Sequence, residues 1–91
     1  MHDRVHYRLQ ILGSVQGVGF RATAIREAAN LGVSGFVKNM PDWSVLVEVE
    51  GIEKQVKAFM AWCARGPEGT VVDKVIRKRL PTKGFNGFFL E

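Results

Sequence analysis

The chain has 91 residues, of which 46% are hydrophobic and 24% are charged, which is the composition of one small globular domain expected to span residues 1–91. No apolar run approaches the roughly 18 residues of a membrane helix, no signal peptide is indicated, and the single cysteine excludes internal disulfides and cysteine metal clusters. The 13 basic against 9 acidic side chains leave a net charge of +4, which suits an anionic partner but equally only aids solubility.

The first part of the chain predicts a strand, a loop and a helix. Apolar and polar residues alternate from Val5 to Ile11, which is typical of a half-buried strand. Three glycines fall within Gly13–Gly19, and such a segment is typical of a loop. Apolar residues then recur at helical spacing over Phe20–Leu31, so a helix is expected there, with Gly32 as its left-handed C-terminal cap.

The middle of the chain predicts a β-hairpin followed by a second helix. Val33–Lys38 and Val45–Glu50 have strand patterns, and the turn-forming composition of Asn39–Ser44 between them indicates antiparallel pairing. Apolar residues follow helical spacing again over Ile52–Cys63, and a Gly-Pro pair ends this helix. Because Cys63 falls on the apolar face, we interpret it as a packing residue and not as a nucleophile.

The last part predicts two strands and completes the fold. The apolar residues of Val71–Leu80 occupy both faces, so we expect a bulge or a strong twist, and Phe85–Leu90 contains a short last strand. Charged residues suited to a solvated edge follow one another in the longer strand: Asp73, Lys74, Arg77, Lys78 and Arg79. The order β-α-β-β-α-β plus a C-terminal strand predicts an α+β, ferredoxin-like split β-α-β sandwich, an antiparallel sheet with two helices on one face.

The loop between the first strand and the first helix carries the strongest chemical signal. Its glycines let several backbone N–H groups converge on one anion, and the free N–H groups and positive dipole end of the helix add to this. Arg21, in the first turn, is suited to gripping a phosphate through two hydrogen bonds. A plain connection tightened by glycine is the alternative, although such connections need only about two to six residues. The loop therefore predicts a phosphate site without a metal.

Other site types are not supported by the sequence. Gly17–Ala22 matches the dinucleotide fingerprint G-x-G-x-x-A, but that motif requires a crossover helix and an acidic residue where this chain has Asn39 and a hairpin. A Walker A loop is excluded because no Gly-Lys-Ser/Thr sequence occurs. His2 and His6 are too far apart along a strand to bind one metal, so we interpret both as surface histidines and expect no metal site.

Two stretches of the chain resemble the signatures of a known family. Residues 13–21, Gly-Ser-Val-Gln-Gly-Val-Gly-Phe-Arg, match the first signature of the acylphosphatases, G-x-V-Q-G-V-x-[FY]-R, at every fixed position. Gly35–Asn39 resembles the second signature, G-x-V-x-N followed by x-x-D-G-x-V-E. The chain is thus similar to a small stand-alone acylphosphatase over nearly its whole length. The resemblance implies a metal-free hydrolase without a cofactor, which cleaves acyl phosphates into a carboxylate and inorganic phosphate.

The resemblance also implies a role for each site residue. It assigns the phosphate cradle to Arg21 and to loop N–H groups, and the positioning of the attacking water to Asn39. The loop residues concerned are Gln16, Gly17, Val18, Gly19 and Phe20. The chemistry agrees, because Arg21 carries a fixed positive charge and the Asn39 amide offers a water both a donor and an acceptor. The alternatives are that Arg21 is an ordinary surface residue and that Asn39 is a turn former.

The second signature departs from the family pattern at two positions. Trp43 stands in place of glycine and Leu46 in place of glutamate. Since glycine there serves a turn with positive φ, we expect a different turn, of type I with Pro41 at its second position. The hairpin tip should then differ from that of typical members of the family.

Two further functions are open alternatives. An RNA-binding module shares this element order, but the first strand has Gln10 where a stacking aromatic residue is expected. The other is a non-catalytic accessory domain, as in hydrogenase maturation carbamoyltransferases, in which Pro-Phe typically follows the arginine where this chain has Ala22 and Thr23. We favour a cytoplasmic, monomeric enzyme whose partner is a small acyl phosphate, with neither nucleic acid nor membrane as a partner. The sequence indicates no particular acyl group.

Overall fold

Five strands and two helices follow one another in the predicted order. The computed structural model describes residues 3–91. The elements are β1 Arg4–Ser14, α1 Phe20–Leu31, β2 Ser34–Asn39, β3 Val45–Ile52, α2 Glu53–Arg65, β4 Val71–Leu80 and β5 Phe88–Leu90. The strand order is β4-β1-β3-β2-β5, and neighbours are antiparallel except β2 and β5, which are parallel. The predicted ferredoxin-like α+β fold is confirmed, with one parallel pair added to the antiparallel sheet.

Both helices end at a glycine in a conformation that other residues rarely adopt. The bounds of α1 are those predicted, and Gly32 has a φ of 68° with its N–H directed at two carbonyls of the last turn. α2 begins at Glu53, one residue later than predicted, and is followed by Gly66, also with a φ of 68°. Within residues 3–91, no helix has both the length and the hydropathy needed to cross a membrane.

β4 is an edge strand and contains the predicted bulge. Leu12 pairs with Lys74, whereas the next residue, Gly13, pairs with Val72, so that Asp73 has no opposite residue. The five charged side chains predicted to form a solvated edge are all exposed. These charges discourage further strands from pairing with β4.

The hydrophobic core lies between the two helices and the face of the sheet that they cover. Its fully buried members come from β1, α1, β2, β3 and α2 and include Leu9, Ile11, Phe20, Ala24, Ala28, Val37, Val47, Val49, Val56 and Phe59. Cys63 is also fully buried, and burial raises the pKa of its thiol well above the ordinary value. Since a nucleophilic cysteine needs a thiolate, the interpretation of Cys63 as a packing residue is supported.

The other face of the sheet is partly covered by residues 81–87, between β4 and β5. His6 is only 2% exposed, and its Nδ1 lies 2.8 Å from the Pro81 carbonyl oxygen while its Nε2 lies 2.8 Å from Oε1 of Glu48. The interpretation of His6 as a surface histidine is therefore wrong. Alternation along β1 shows only that His6 points away from the helices, and the cover comes from a segment 75 positions later. His2 lies outside the described residues.

A buried carboxylate fastens the covering segment to the sheet. Glu50 is 1% exposed, and its carboxylate accepts the N–H of Lys83 at 2.6 Å and that of Gly84 at 3.0 Å, with the Arg4 guanidinium 3.5 Å away. Burial disfavours the ionised form, but these donors outweigh it and lower the pKa of Glu50 below its ordinary value. The ionised form therefore stabilises the attachment of residues 83–84.

Acidification is expected to weaken this attachment. The folded-state pKa of Glu50 lies below the ordinary value of 4.5, so its charge stabilises the fold above that pH and the contribution is lost as the pH falls through the folded-state pKa. Glu50→Gln should lower the free energy of unfolding by about 2 kcal/mol near neutral pH, the cost of hydrogen bonds to a charged group. Urea denaturation at neutral and at acidic pH measures this, with the exposed Glu68→Gln as the control. An equal loss at both pH values would contradict the expectation.

The turn between β2 and β3 differs from the expected one. The Trp43 N–H donates to the Met40 carbonyl at 3.1 Å, so Pro41 takes the second position of a β-turn, as predicted. Trp43, however, has a φ of 73°, and the expectation of a turn without positive φ is wrong. The Met40 N–H also donates to the Ser44 carbonyl at 2.9 Å, and closing this pair requires the last residue of the β-turn, Trp43, to be left-handed. Trp43 thus adopts the backbone conformation that favours glycine.

Trp43→Gly is expected to stabilise the protein by about 1 kcal/mol. The left-handed conformation costs a residue with a Cβ roughly 1–2 kcal/mol, and this exceeds the extra entropy that glycine loses on folding. The Trp43 side chain is 74% exposed, so little packing is lost. Urea denaturation of Trp43→Gly and of Trp43→Ala measures the effect, because alanine removes the ring but keeps the Cβ. A gain of similar size in both variants would show that the ring, and not the backbone, is responsible.

Candidate functional site

The loop between β1 and α1 is shaped by two left-handed glycines. Gly17 has a φ of 75° and Gly19 a φ of 78°, and a Cβ added at either would meet no atom within 4 Å. Glycine is therefore favoured here by backbone conformation and not by lack of space. The open space beside both residues leaves the loop backbone accessible to a ligand.

The N-terminus of α1 follows this loop directly. Gly19 is the N-cap residue, no side chain caps the helix, and no acidic residue lies in its first turn. The N–H groups of the first turn are thus left without an acidic side chain beside them, at the positive end of the helix dipole. Phe20 fixes this end in place, because its ring is 2% exposed and lies 5.3 Å from the Trp62 ring. The arrangement is suited to an anion.

The loop, α1 and the end of β2 enclose a pocket of about 270 Å³. Its lining residues are Val15, Gly17, Gly19, Phe20, Arg21, Ala22, Ile25, Asn39 and Leu90. Five of the seven residues predicted for the site are among them: Gly17, Gly19, Phe20, Arg21 and Asn39. Arg21 and Asn39 are 18 positions apart in sequence, and the fold brings them to one pocket.

Among the described residues, Arg21 is the only charged side chain in the lining of this pocket. It is the second residue of α1 and is partly buried. Among residues 3–91, no carboxylate forms an ion pair with its guanidinium. The pocket therefore presents an uncompensated positive charge next to the positive end of a helix, and both attract an anion.

Asn39 is the last residue of β2 and lies opposite Val45 of β3. It is partly buried, and its side-chain amide forms no hydrogen bond with another described residue. Strand pairing fixes its backbone, while the amide has both a donor and an acceptor available for a ligand or a water.

Gln16 and Val18, the other two predicted loop residues, do not line the pocket. The Gln16 side chain points to the hairpin, where its Nε2 donates to the carbonyl oxygens of Met40 and Ser44, each at 2.9 Å. Val18 is partly buried and packs against the hydrophobic core. Any role of these two residues in binding an anion would thus belong to their backbone N–H groups.

Some pocket residues were not identified from the sequence. Ile25 follows Arg21 by one helical turn, and this spacing alone could have placed it beside the site. Leu90 belongs to β5, which pairs in parallel with β2 and sets Leu90 opposite Val37. Nothing local in the sequence indicates that pairing. The apolar wall formed by Ile25 and Leu90 faces the same pocket as the Arg21 charge.

A larger groove of about 620 Å³ lies elsewhere, against α2 and the inner faces of β1 and β4. It is lined by apolar residues of these elements together with Tyr7, Lys57 and Arg77. None of the predicted site residues borders it. The combination of a glycine loop, a helix N-terminus and a polar amide occurs at the smaller pocket, which is therefore the candidate site.

Comparison with known proteins gives a consistent result. A family model described as Acylphosphatase matches residues 7–89. An acylphosphatase of Synechococcus sp. (strain RCC307) is 44% identical over 82 residues, which cover 90% of this chain and 70% of that relative. The crystal structure of acylphosphatase from Bacillus subtilis is similar with a TM-score of 0.92 and 30% identity, covering 96% of this chain and 98% of that one.

A much longer protein contains a similar domain. Full-length HypF, crystallised in a phosphate- and nucleotide-bound form, matches with a TM-score of 0.92 and 28% identity over 100% of this chain but only 12% of its own. The family model and the curated relative each span most of this chain, and the relative is 44% identical to it. On this basis the chain belongs to the acylphosphatase family of enzymes.

Proposed function

We propose that the protein hydrolyses acyl phosphates to a carboxylate and inorganic phosphate, without a metal or cofactor, in the pocket between the β1–α1 loop and β2. The observation that carries this proposal is the meeting of Arg21 and Asn39 in one pocket with Gly17 and Gly19. Family membership supports the reaction class, and the pocket suggests which groups perform it.

The loop and the helix N-terminus hold the phosphoryl group in this proposal. Backbone N–H groups of residues 16–20 donate to its oxygens, as glycine-rich loops before helices do in other phosphate sites. Arg21 adds two parallel N–H donors from its guanidinium. Because these groups are fixed before the substrate arrives, they stabilise charge that shifts in the transition state without reorganising.

Asn39 positions the attacking water. Its amide accepts one hydrogen bond and donates others, which orients the water in line with the bond from phosphorus to the acyl oxygen. An amide is not a base near neutral pH, so the proton of the water passes to a phosphate oxygen. The carboxylate leaves without protonation because it is a weak base, and this is why so few side chains suffice.

The two alternatives have less support. HypF shows that a domain of this fold occurs within a longer protein, but its identity to this chain is 28%, against 44% for the Synechococcus acylphosphatase. Recognition of RNA on the sheet would require aromatic rings exposed in the middle of its open face. Phe36 instead lies against Phe85 of the covering segment, with ring centres 6.0 Å apart, and Phe89, which is 56% exposed, stands on the edge strand β5. A monomeric state and a cytoplasmic location stay predictions.

Hydrolysis of benzoyl phosphate in the presence of EDTA tests the proposal. We expect the wild-type protein to hydrolyse benzoyl phosphate faster than the spontaneous rate measured without enzyme. EDTA should leave this enzymatic rate unchanged. Absence of turnover, with inorganic phosphate still bound, would overturn the proposal in favour of a binding domain. Turnover abolished by EDTA and restored by a divalent cation would overturn the metal-free mechanism.

A further inference from the structure

The Gln16 side chain links the two halves of the candidate site. Its Nε2 donates both of its hydrogens, one to the carbonyl oxygen of Met40 and one to that of Ser44, each at 2.9 Å. These carbonyls stand at the two ends of the turn between β2 and β3, where the Met40 N–H donates to the Ser44 carbonyl. A single nitrogen thus joins the β1–α1 loop to both ends of the hairpin turn.

The position of these bonds along the chain matters for Asn39. Met40 follows Asn39 directly, so one of the two acceptors is the carbonyl of the residue next to the amide proposed to hold the water. Strand pairing with Val45 fixes Asn39 relative to the sheet. It does not fix Asn39 relative to the loop, and among the hydrogen bonds within residues 3–91 only those of Gln16 connect side chain and backbone across this gap.

We propose that the Gln16 side chain is a positioning residue, which sets the distance between the phosphate cradle and the water held by Asn39. The inference rests on the proposed function. In this inference Gln16 has two separate roles. Its backbone N–H belongs to the phosphate cradle, and its side chain holds the hairpin in place. The primary amide of glutamine supplies two hydrogen-bond donors from one nitrogen. Ionised glutamate and methionine have side chains of similar length but supply no donor.

Loss of these two bonds should affect the rate more than the binding of phosphate. The cradle N–H groups and Arg21 are unchanged when only the side chain is replaced. The hairpin is then free to move away from the loop, and a displacement of about 1 Å between reacting groups costs about 100-fold in rate. We therefore expect Gln16→Met to lower kcat for benzoyl phosphate by about 10- to 100-fold, with the inhibition constant of inorganic phosphate changed by less than about threefold.

Gln10→Met is the matched control, because Gln10 is a second glutamine that reaches the same hairpin. Its Nε2 lies 3.3 Å from Oδ2 of Asp42 and 3.4 Å from Oγ of Ser44, which are longer contacts to side chains and not to the backbone. Its kcat should stay within about twofold of the wild type. Gln16→Asn has the same amide on a shorter stem and should lose kcat as well, which provides a second variant if Gln16→Met does not fold.

A double-mutant cycle with Asn39→Ala separates positioning from general destabilisation. If Gln16 acts through Asn39, then adding Gln16→Met to Asn39→Ala should lower kcat little further, because Asn39→Ala has already removed the amide that orients the water. Losses that multiply, or an unchanged kcat in folded Gln16→Met and Gln16→Asn, would overturn the inference while wild-type turnover upholds the proposed function. A wild-type protein that does not hydrolyse benzoyl phosphate would overturn both.

Discussion

Arg21→Ala is expected to lower kcat/KM for acyl phosphate hydrolysis by about a thousandfold or more, the range found for arginines that stabilise phosphoryl transfer. Arg21 is the one charged group lining the pocket, and no carboxylate within residues 3–91 pairs with it. In the proposed function its removal therefore takes away the side-chain charge that faces the phosphoryl group. Steady-state kinetics with benzoyl phosphate, together with inhibition by inorganic phosphate, measures both parts of the effect.

Lysine should rescue little of this loss. A guanidinium donates two parallel hydrogen bonds to one phosphate, whereas an ammonium acts as a point charge on a flexible stem. Arg26→Ala is the matched control, because Arg26 lies on the same helix but is exposed and outside the pocket. Near wild-type turnover in Arg21→Lys would show that charge alone suffices. Near wild-type turnover in Arg21→Ala would contradict the assignment of the cradle.

Local signals explain which parts of the fold could be predicted. The bounds of α1 were correct because the glycines before and after it, Gly19 and Gly32, both adopt the left-handed conformation that ends helical periodicity. The bulge in β4 was indicated by apolar residues on both faces of that strand. In each case the cause lies within a few residues of the feature, so a single sequence contains it.

Features that depend on distant contacts could not be predicted in this way. His6 has the same alternating pattern as an exposed strand residue, and only the return of residues 81–87 buries it. Leu90 reaches the pocket because β5 pairs in parallel with β2, and no pattern in the sequence indicates this pairing. The Gln16 side chain belongs to the recognised loop motif, but its direction toward the hairpin follows from the folded geometry alone.

The turn at Trp43 shows a different limit of sequence reasoning. Replacing glycine by tryptophan suggested that the backbone conformation had changed, whereas the structure retains a φ of 73° there. The cross-strand pair of Met40 and Ser44 requires that conformation, and its cost of roughly 1–2 kcal/mol is small beside the pairing of two strands. Tertiary constraints therefore outweighed the preference of one residue, and Asn39 stays in register with Val45.

Asn39→Ala is expected to lower kcat by about 100-fold or more, because a water without a fixed partner must find the in-line orientation by itself. The inhibition constant of inorganic phosphate should change little, since in the proposed function the loop N–H groups and Arg21 hold the anion without Asn39. The Asn39 amide has no hydrogen bond to another described residue, so its loss leaves no buried partner unsatisfied and the free energy of unfolding should be nearly unchanged. Kinetics, phosphate inhibition and urea denaturation of the one variant test these three expectations.

The pattern among the three measurements decides the role of the amide. Asn30→Ala, at an exposed position near the end of α1, is the control for a general effect of losing an asparagine. Weakened phosphate inhibition in Asn39→Ala, equal to the loss in kcat/KM, would make Asn39 a member of the cradle and not the residue that holds the water. Lowered stability with normal kcat would make it a turn former, as its position at the end of β2 also allows. Only a loss of kcat with intact phosphate binding and intact stability fits an amide whose one partner is the attacking water.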